Sequence, residues 1–235
     1  MLGILGGTGF TGIGLEPEER KTVVTPYGKP SSDLLFYDLK GRSLVVIQRH
    51  GEQRNIPPHM VNHRANIFAL DQAGAKAIIG INSVGALRMD MPIPSIIVPD
   101  DYFDLNPPTF FDGEIKHVVP GYSEHLRKQV IEAAKDLGLS VIDKGVYVQT
   151  KGPRLETRAE VRVISKWGDI VGMNSASEAT LANELGCEFA AICSVDNYAH
   201  GLGDKAPDYR EILAVAKGSQ ERILQILLRF IEGYL

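Results

Sequence analysis

Three segments of small and polar residues carry groups that could bind an anion. They are residues 6–12 (GGTGFTG), 49–51 (RHG) and 82–86 (NSVGA), and each follows an apolar run. Glycines let successive backbone N–H groups converge on an oxyanion, and the Thr8 hydroxyl adds a donor. Arg49 offers a two-point fork to such a group, with His50 as a neighbouring donor. The third segment supplies small polar groups at a turn, so the three together predict one composite anion site.

Each of these segments also has a simpler or a rival interpretation. Residues 6–12 contain GxGxxG, the dinucleotide fingerprint, which needs a helix directly after the glycines and then a strand ending in an acidic residue. Residues 13–30 instead contain three prolines and no apolar face of helical period. A nicotinamide-dependent oxidoreductase therefore remains an alternative from a different class of protein. A tight turn without a ligand, and a surface ion pair at Arg49, also stay open.

Alternating apolar runs and amphipathic stretches indicate the elements that hold these segments. The runs predict strands at Leu2–Leu5, Leu34–Tyr37, Ser43–Gln48, Ala77–Asn82, Ser95–Pro99, Gly145–Thr150, Asp169–Met173 and Glu188–Ser194. Helical spacing predicts helices at Val61–Gln72, Glu124–Leu137, Leu155–Trp167, Ser177–Leu185 and Asp208–Ile231. Residues 106–114 read as a loop. The fold class is α/β, a single domain over residues 1–235 with a mixed central β-sheet flanked by helices.

Composition narrows the class of protein further. Apolar residues make up 44% and charged residues 23%, and the net charge of -4 gives no support for nucleic-acid or membrane-surface binding. The N-terminus has no signal-peptide pattern and no apolar run is long enough to span a bilayer, so we expect a cytoplasmic protein. Cys187 and Cys193 are six residues apart, a spacing that suits neither a zinc site nor a redox pair, and we expect buried thiols.

Longer segments resemble one known family. GILGGTGF, TPYGKPS and RHGEQRNIPPHMVNHRANIFAL are similar to the trimeric methylthioadenosine and purine nucleoside phosphorylases, in which the pattern RHG…H.IPPH.VNYRAN…AL recurs. The similarity continues in order through INSVGALRMD, FFDGE, TKGPRLETRAE, DIVGMNSASEA and SVDNYAHG. The resemblance implies the nucleoside phosphorylase fold and reversible phosphorolysis of a nucleoside.

The resemblance also implies site residues. The phosphate-contacting positions of the family fall on Thr8, Arg49, His50, Ser83 and Asn174, and the ribose-contacting position falls on Met173. Two positions depart from the family, which usually carries Ser or Thr where this chain has Asn174 and often Pro where it has Ser177. An amide still donates to phosphate, but the hydroxyl contact is lost.

One further position implies an assembly. His117 resembles a residue that reaches into the neighbouring subunit's site. By this resemblance the active unit is a homotrimer or a homohexamer.

Two segments bear on the base. Members acting on 6-aminopurines read Asp-Tyr-Asp where this chain has Asn197-Tyr198-Ala199, and they carry a small hydroxyl residue at the position of Glu156. The carboxylate that would accept from an exocyclic amine is thus replaced by Ala199. Asn197 suits N7 and a 6-oxo group, and Glu156 accepts an N1–H. The resemblance therefore favours a 6-oxopurine base, with a turn residue at Asn197 and a helix-start carboxylate at Glu156 as the simpler readings.

The group at the 5′ carbon is less constrained. Purine nucleoside phosphorylases have His near the position of Tyr209 and methylthio-nucleoside enzymes have Val, whereas a tyrosine either covers a thioether or bonds a hydroxyl. TKGPRLETRAE is most similar to methylthioinosine phosphorylases. We therefore expect methylthioinosine as substrate, with inosine and guanosine as alternatives.

The expected chemistry needs positioning and electrostatics only. Phosphate captures the oxocarbenium-like ribose, and Asn197 stabilises the departing purine through N7. Asn197 and His50 are the expected catalytic residues. Inorganic phosphate is the co-substrate, and we expect no other cofactor and no metal. Methylthioadenosine phosphorolysis, the nicotinamide-dependent oxidoreductase and a non-catalytic ligand-binding protein are the alternatives.

Overall fold

The computed structural model describes residues 1–10, 12–203 and 205–234. Thr11, which belongs to the glycine-rich segment, lies outside these residues. The strands are β1 (Leu2–Gly6), β2 (Glu19–Lys21), β3 (Leu34–Leu39), β4 (Arg42–Gln48), β5 (Ala77–Ala86), β6 (Ser95–Ile97), β7 (Asp101–Phe103), β8 (Val146–Gln149), β9 (Ile170–Gly172) and β10 (Glu188–Tyr198). The helices are α1 (His63–Gln72), α2 (Glu124–Asp136), α3 (Arg158–Ile164), α4 (Ser175–Glu184) and α5 (Tyr209–Tyr234), with one 3₁₀ turn at Pro58–Met60.

The strands form one mixed sheet in the order β2-β3-β4-β1-β5-β9-β8-β7, and β10 pairs with both β5 and β6. β1 runs parallel to β4 and β5, and β5 runs parallel to β10. The carboxyl ends of these four strands therefore meet at one edge, where open α/β sheets bind ligands. This arrangement confirms the expected α/β fold with a mixed central sheet.

Helices cover both faces of the sheet and divide the core into two main layers. α1 and α4 pack on one face, and their buried residues join a cluster with Ile78, Phe189 and Ala191. α2 and α5 pack on the other face over Ile4, Val46 and Ile192. Because the central strands are buried on both sides, they read in sequence as continuous apolar runs rather than as alternating ones.

All eight predicted strands and all five predicted helices are present, and residues 106–114 form the expected loop. β2 and β7 were not predicted. The sequence of β2 is ERK and all three residues are exposed, so no apolar pattern marks it, and it forms by pairing with β3. Cys187 and Cys193 are free and buried, as expected.

Several boundaries differ, and two of the differences concern functional segments. The strands β5 and β10 extend to Ala86 and Tyr198, where the sequence predicts a turn after Asn82 and a strand end at Ser194. The prediction of a turn is wrong because these residues continue to pair, Ser194 with Ser83 and Tyr198 with Ala86. The small residues of segment 82–86 thus lie on a strand that is paired with β10.

Helix α3 begins later than predicted, at Arg158. A capping box sets this start, since the Thr157 hydroxyl accepts from the Glu160 backbone N–H and the Glu160 carboxylate accepts from the Thr157 backbone N–H. Leu155 and Glu156 therefore precede the helix. No helix in the described part of the chain is long and apolar enough to cross a membrane.

Candidate active site

A cavity of about 780 Å³ opens at the carboxyl ends of the central strands. Its walls come from the glycine-rich loop after β1, the segment after β4, the ends of β5, β9 and β10, the segment before α3 and the start of α5. Every residue assigned to the site from sequence lines this cavity except Arg49 and His117. The lining residues among them are Thr8, His50, Ser83, Glu156, Met173, Asn174, Asn197, Ala199 and Tyr209.

The glycine-rich loop closes one end of the cavity. Gly7 packs so tightly that a Cβ there would lie 2.3 Å from both Arg49 Nη1 and the Ile81 carbonyl oxygen. Only glycine fits this position. Phe10 donates its N–H back to the Gly7 carbonyl, which turns the loop so that Gly7, Thr8 and Gly9 all face the cavity. The glycine-rich loop thus forms a turn at the cavity, at the place where the sequence predicts an anion nest.

Arg49 lies directly beneath the glycine-rich loop, with Nη1 against Gly7, and its direct contact with phosphate stays a prediction. Its side chain is fully buried beneath the loop, where Nε and Nη2 lie 2.5 and 2.8 Å from the Glu178 carboxylate oxygens. The guanidinium also donates to the carbonyls of Ile81 and Leu5. Glu178 on α4 takes Nε and Nη2 of the guanidinium, so the two-point fork is used within the protein. Arg49 supports the loop from below.

Burial and neighbouring positive charge shift the pKa of Glu178 in opposite directions. Burial raises the pKa of this carboxyl, but the Arg49 charge and contacts with His63 outweigh burial and hold the pKa below its usual value. The His63 ring nitrogen Nδ1 lies 3.6 Å from Glu178 Oε1. The carboxylate therefore stays ionised and paired.

His50 lines the cavity with its ring anchored. Nδ1 lies 2.9 Å from the Ile56 carbonyl oxygen, and since a carbonyl only accepts, Nδ1 carries the proton. Burial, and then the Arg49 charge, lower the pKa of His50. The ring is neutral at pH 7, which leaves Nε2 as an acceptor rather than the donor that the sequence suggests.

Ser83 faces the cavity from β5, with Asp196 of β10 beside it. Asp196 is the extra residue of a bulge, because Val195 pairs with Val84 and Asn197 with Gly85. The carboxyl group is buried. Its Oδ2 accepts from the Ser194 hydroxyl at 2.9 Å, whereas Oδ1 has no hydrogen-bond partner in the described residues. Burial raises the pKa of Asp196 to about 6, although Ser83 and Ser194 act to lower it. From the sequence, Asp196 is a weaker site candidate next to Asn197, without an assigned role.

The start of α4 forms the floor near Met173. Asn174 is its N-cap but makes no capping bond, and the buried Oδ1 atom has no hydrogen-bond partner in the described residues. Gln149 accepts from the backbone N–H groups of Ala176 and Ser177 and donates to the Ser177 hydroxyl. Both the backbone N–H and the hydroxyl of Ser177 bond to Gln149, which explains a serine at a position where the family often carries proline. The Asn174 amide borders the cavity, where an oxyanion could use it.

Glu156 is buried at the cavity wall, immediately before the cap of α3. Its Oε1 accepts from the Thr150 hydroxyl at 2.6 Å, and Oε2 makes no hydrogen bond within the described residues. Because Glu160 completes the capping box, Glu156 is not the helix-start carboxylate of the simpler interpretation. Its backbone carbonyl lies 3.2 Å from His200 Nδ1, which fixes the segment against the end of β10.

Asn197 and Ala199 line the same cavity from the end of β10. One N–H of the Asn197 amide donates to the Tyr198 carbonyl at 2.8 Å, which leaves the second N–H and Oδ1 for a ligand. Ala199 is buried and packs with Leu87, Val148 and Val171. An apolar surface therefore stands where an amine-reading enzyme would carry a carboxylate.

Met173 and Tyr209 lie at other parts of the wall. A Cβ at Gly152, where φ is +64°, would lie 2.4 Å from Met173 Sδ, so glycine lets the 150–153 loop close over this side chain. Tyr209 is the first residue of α5 and remains 68% exposed beside the lining residues Pro207, Ile212 and Leu213. The phenol is free to cover a substituent from the solvent side.

His117 is the second residue outside the cavity. It belongs to an exposed segment in which Ile115 and Val119 are 94% and 93% exposed. That His117 reaches into the site of a neighbouring subunit therefore stays a prediction. The described residues contain no cluster of three or more His, Cys, Asp or Glu side chains placed to hold a metal ion.

Sequence reasoning missed several wall residues, of which Arg54, Asn55 and His200 have polar side chains. Arg54 stands where the family pattern has His, a departure visible in RHGEQRNIPPH. His200 follows the base-reading segment directly. Pro207, Ile212 and Leu213 gave no separate signal, because their apolar pattern fits ordinary helix packing equally well.

Comparisons with known proteins identify the family. The family model described as "Phosphorylase superfamily" matches residues 1–232. A "Probable 6-oxopurine nucleoside phosphorylase" from Archaeoglobus fulgidus is 45% identical over 230 residues, covering 97% of this chain and 94% of the relative. A "Probable S-methyl-5'-thioinosine phosphorylase" from Methanopyrus kandleri is 39% identical, covering 98% and 91%.

Relatives with the aminopurine activity are similar as well. An "S-methyl-5'-thioadenosine phosphorylase" from Pyrococcus horikoshii is 38% identical, covering 98% of this chain and 91% of the relative. Among solved structures, a methylthioadenosine phosphorylase from Schistosoma mansoni in complex with adenine superposes with a TM-score of 0.90 at 27% identity, covering 98% of this chain and 90% of that one. These findings confirm the resemblance and the fold.

Proposed function

Because the chain belongs to the Phosphorylase superfamily, we propose that it is a purine nucleoside phosphorylase that cleaves 6-oxopurine nucleosides with phosphate. The products are the free base and a ribose 1-phosphate derivative. The observation that carries the base assignment is the buried Glu156 carboxylate, fixed by Thr150 in the same cavity as Asn197 and Ala199.

The donor and acceptor pattern of the base supports this assignment. A 6-oxopurine presents N1–H as a donor, which the free Oε2 of Glu156 accepts. A 6-aminopurine presents a lone pair at N1, so a buried carboxylate would meet an acceptor. An unpaired buried polar group costs about 1–3 kcal/mol, and more when charged, so the wrong base is rejected.

Phosphate occupies the opposite end of the cavity. The Thr8 loop, Ser83 and the Asn174 amide supply donors, and the neutral His50 accepts the P–OH of monohydrogen phosphate through Nε2. Arg49 holds the loop that carries the backbone donors. Phosphate is thereby positioned on one face of the ribose, with Met173 against the sugar.

Bond cleavage then follows from charge stabilisation. As the C1′–N9 bond breaks, C1′ gains positive charge, and the phosphate oxygen stabilises this charge and then bonds to C1′. The electron pair leaves with the purine, and the remaining N–H of Asn197 donates to N7 and spreads the negative charge. Inorganic phosphate is the co-substrate, and the reaction so described uses no other cofactor and no metal.

The substituent at the 5′ carbon lies among Pro207, Tyr209, Ile212 and Leu213. Their apolar surface favours methylthioinosine, in line with the name of the Methanopyrus kandleri relative. Inosine and guanosine remain alternative substrates. Methylthioadenosine, named for the Pyrococcus horikoshii relative, is the second candidate, but Glu156 and Ala199 oppose it.

The proposed active unit is a homotrimer or homohexamer in which His117 reaches a neighbouring site, and the proposed location is the cytoplasm. The nicotinamide-dependent alternative loses its support, because residues 12–30 contain no helix after the glycines. A non-catalytic binding protein is the remaining alternative, and the activity assay below separates it.

The test is base release by purified enzyme from inosine, guanosine, adenosine, methylthioinosine and methylthioadenosine, with and without phosphate. We expect release from oxopurine nucleosides only when phosphate is present. Equal release without phosphate would indicate a hydrolase. No release from any substrate would support the non-catalytic alternative.

A further inference from the structure

A buried carboxyl group lies next to one of the side chains at the phosphate end of the cavity. Asp196 of β10 is buried and is not among the residues that line the cavity, whereas its neighbour Ser83 on β5 lines it. The bulge leaves Asp196 without a residue opposite it on β5. Because Ser83 is the cavity-lining side chain that interacts with this carboxyl, Asp196 can act on a ligand through it.

The two carboxyl oxygens of Asp196 have unequal surroundings. Oδ2 accepts from the Ser194 hydroxyl at 2.9 Å, whereas the buried Oδ1 has no hydrogen-bond partner in the described residues. Among those residues no Lys, Arg or His side chain forms an ion pair with Asp196. A buried carboxylate that lacks both a counter-charge and a second donor is costly, and burial raises the pKa of Asp196 to about 6. The protonated and the ionised forms are therefore both populated between about pH 5 and about pH 7.

The elements packed around Asp196 bring one titratable group close to it, the Cys193 thiol. Burial raises the pKa of this thiol far above neutral, so the thiol stays uncharged. The described residues of β5 and β6 that pair with this part of β10 are uncharged, and so are the buried residues of α5. The charges of Arg49 and Glu178 are paired with each other, which leaves His50 as a second group that titrates at the phosphate end.

The protonation state of Asp196 decides the direction of the Ser83 hydroxyl. An ionised carboxylate only accepts hydrogen bonds, so the Ser83 hydroxyl beside it donates to it and turns its lone pairs toward the cavity. A protonated carboxyl donates its own O–H to the Ser83 oxygen, which leaves the Ser83 proton free to point into the cavity. An oxyanion needs a donor at this place and binds better to the second arrangement.

We propose that Asp196 is a positioning residue for the oxyanion, and that its protonated form makes Ser83 a hydrogen-bond donor to phosphate. The inference rests on the proposed function, since it assumes that phosphate lies beside Ser83. Anion binding and protonation of Asp196 are then linked, and each favours the other. Anion affinity therefore falls as pH rises through about 6, because the ionised carboxylate takes the Ser83 proton away from the ligand.

Calorimetric titration with sulfate at about pH 5 and about pH 7.5 is the first test, because sulfate remains a dianion over this range. Asp196→Asn keeps the shape of the side chain, does not ionise, and offers an amide N–H to Ser83 at both pH values. We expect the variant to bind sulfate within about twofold of the wild type at the lower pH and about 3- to 30-fold more tightly at the higher pH. His50 titrates in both proteins, so its effect cancels in the comparison. Equal affinities of the two proteins at both pH values would overturn the proposal.

Two further variants separate the role of Ser83 from simple charge repulsion. In a Ser83→Ala background, the change Asp196→Asn should alter sulfate affinity by less than about twofold at either pH, because the hydroxyl that transmits the effect is gone. An unchanged gain at the higher pH in that background would overturn the positioning role. Ser194→Ala removes a hydrogen bond that favours the carboxylate, so it should move the midpoint of the pH dependence to higher pH.

Proton uptake on binding is a readout that a merely structural role would not change. Sulfate titrations at about pH 6.5 in two buffers of different ionisation enthalpy measure it, and the wild type should take up more protons than Asp196→Asn. Equal uptake by both proteins would overturn the role of Asp196 and leave the phosphorylase proposal intact. A wild type that shows the linked uptake but releases no base from any nucleoside would instead overturn the proposed function.

Discussion

Arg49 and Glu178 form a fully buried two-point ion pair beneath the glycine-rich loop, although they lie 129 residues apart in the chain. The pair joins the end of β4 to α4, and the guanidinium also ties the carbonyls of Leu5 and Ile81. One interaction thus fixes the relative positions of β1, β4, β5 and α4 at the phosphate end of the cavity.

This pair predicts a specific pattern of stabilities. Glu178→Ala leaves a buried guanidinium without its counter-charge and should lower the free energy of unfolding by about 3–5 kcal/mol. The double variant Arg49→Met with Glu178→Leu should be more stable than either single change, because apolar residues of similar size replace the pair. Urea unfolding measures this. If the double variant were less stable than both single variants, Arg49 and Glu178 would not be compensating each other's buried charge.

Arg49→Ala should also raise the phosphate requirement sharply, because it removes both the positive charge beneath the loop and the support of the backbone donors. The cavity left under Gly7 lets the backbone donors move away from the anion. Phosphate KM of the folded double variant Arg49→Met with Glu178→Leu separates the two effects, because apolar side chains refill the space under Gly7 but supply no charge. A KM equal to that of the wild type would show that phosphate binding does not need the charge of Arg49.

The base pocket predicts a preference for oxopurines. The wild-type enzyme should favour methylthioinosine over methylthioadenosine by about tenfold or more, since about 1.4 kcal/mol corresponds to a factor of ten. Glu156→Ala should weaken oxopurine turnover and leave phosphate affinity nearly intact. Thr150→Val is the matched control, because it frees the carboxylate without removing it and should have a smaller effect.

The converse change should move the preference toward adenine nucleosides. Asn197→Asp with Ala199→Asp restores the acidic residues of the aminopurine enzymes, and Glu156→Ser should add to the shift. Ratios of kcat/KM for the two methylthio substrates measure it. A wild-type enzyme that cleaves both equally well would contradict this reading of the base pocket, whereas the phosphorylase assignment would survive.

Asp196 predicts a dependence of stability on pH. Its folded pKa of about 6 lies above the usual 3.8, so between these values the folded state binds more protons than the unfolded state. Stability should therefore fall as pH rises from about 4 to about 6, by up to about 3 kcal/mol for this group alone. Asp196→Asn has no such titration and should gain stability relative to the wild type over this range.

The difference in unfolding free energy between the wild type and Asp196→Asn isolates the titration of Asp196. Other titrating groups, including His50 and Glu178, are common to both proteins. Urea unfolding at about pH 4.5 and about pH 7 gives the required free energies. A difference that stays constant between the two pH values would show that the Asp196 carboxyl titrates normally.

The exposed segment that carries His117 predicts an oligomer. Ile115 and Val119 present apolar side chains that a neighbouring subunit would cover. Light scattering should give the mass of three chains or a multiple of three. His117→Ala should weaken substrate binding without lowering that mass. A fully active monomer of 25.7 kDa would remove His117 from the site.

The sequence by itself determined the order and type of the elements and the composition of most of the cavity wall. Continuous apolar runs mark strands that are buried on both faces, and helical periodicity marks the helices that cover them. Ser83 was found from its place after an apolar run, whereas Glu156 and Asn197 were found only from the resemblance to the family. Exposed β2 and the extensions of β5 and β10 have no such local signal, because only pairing with neighbouring strands stabilises them.

The tertiary structure alone decided which polar side chains face the cavity. Arg49 and Arg54 are five residues apart and chemically identical, yet one is buried against Glu178 and the other borders the ligand space. Sequence spacing does not reveal a partner that lies on a distant helix. The direction of a charged side chain depends on where its counter-charge lies after folding, because an unpaired charge is too costly to bury.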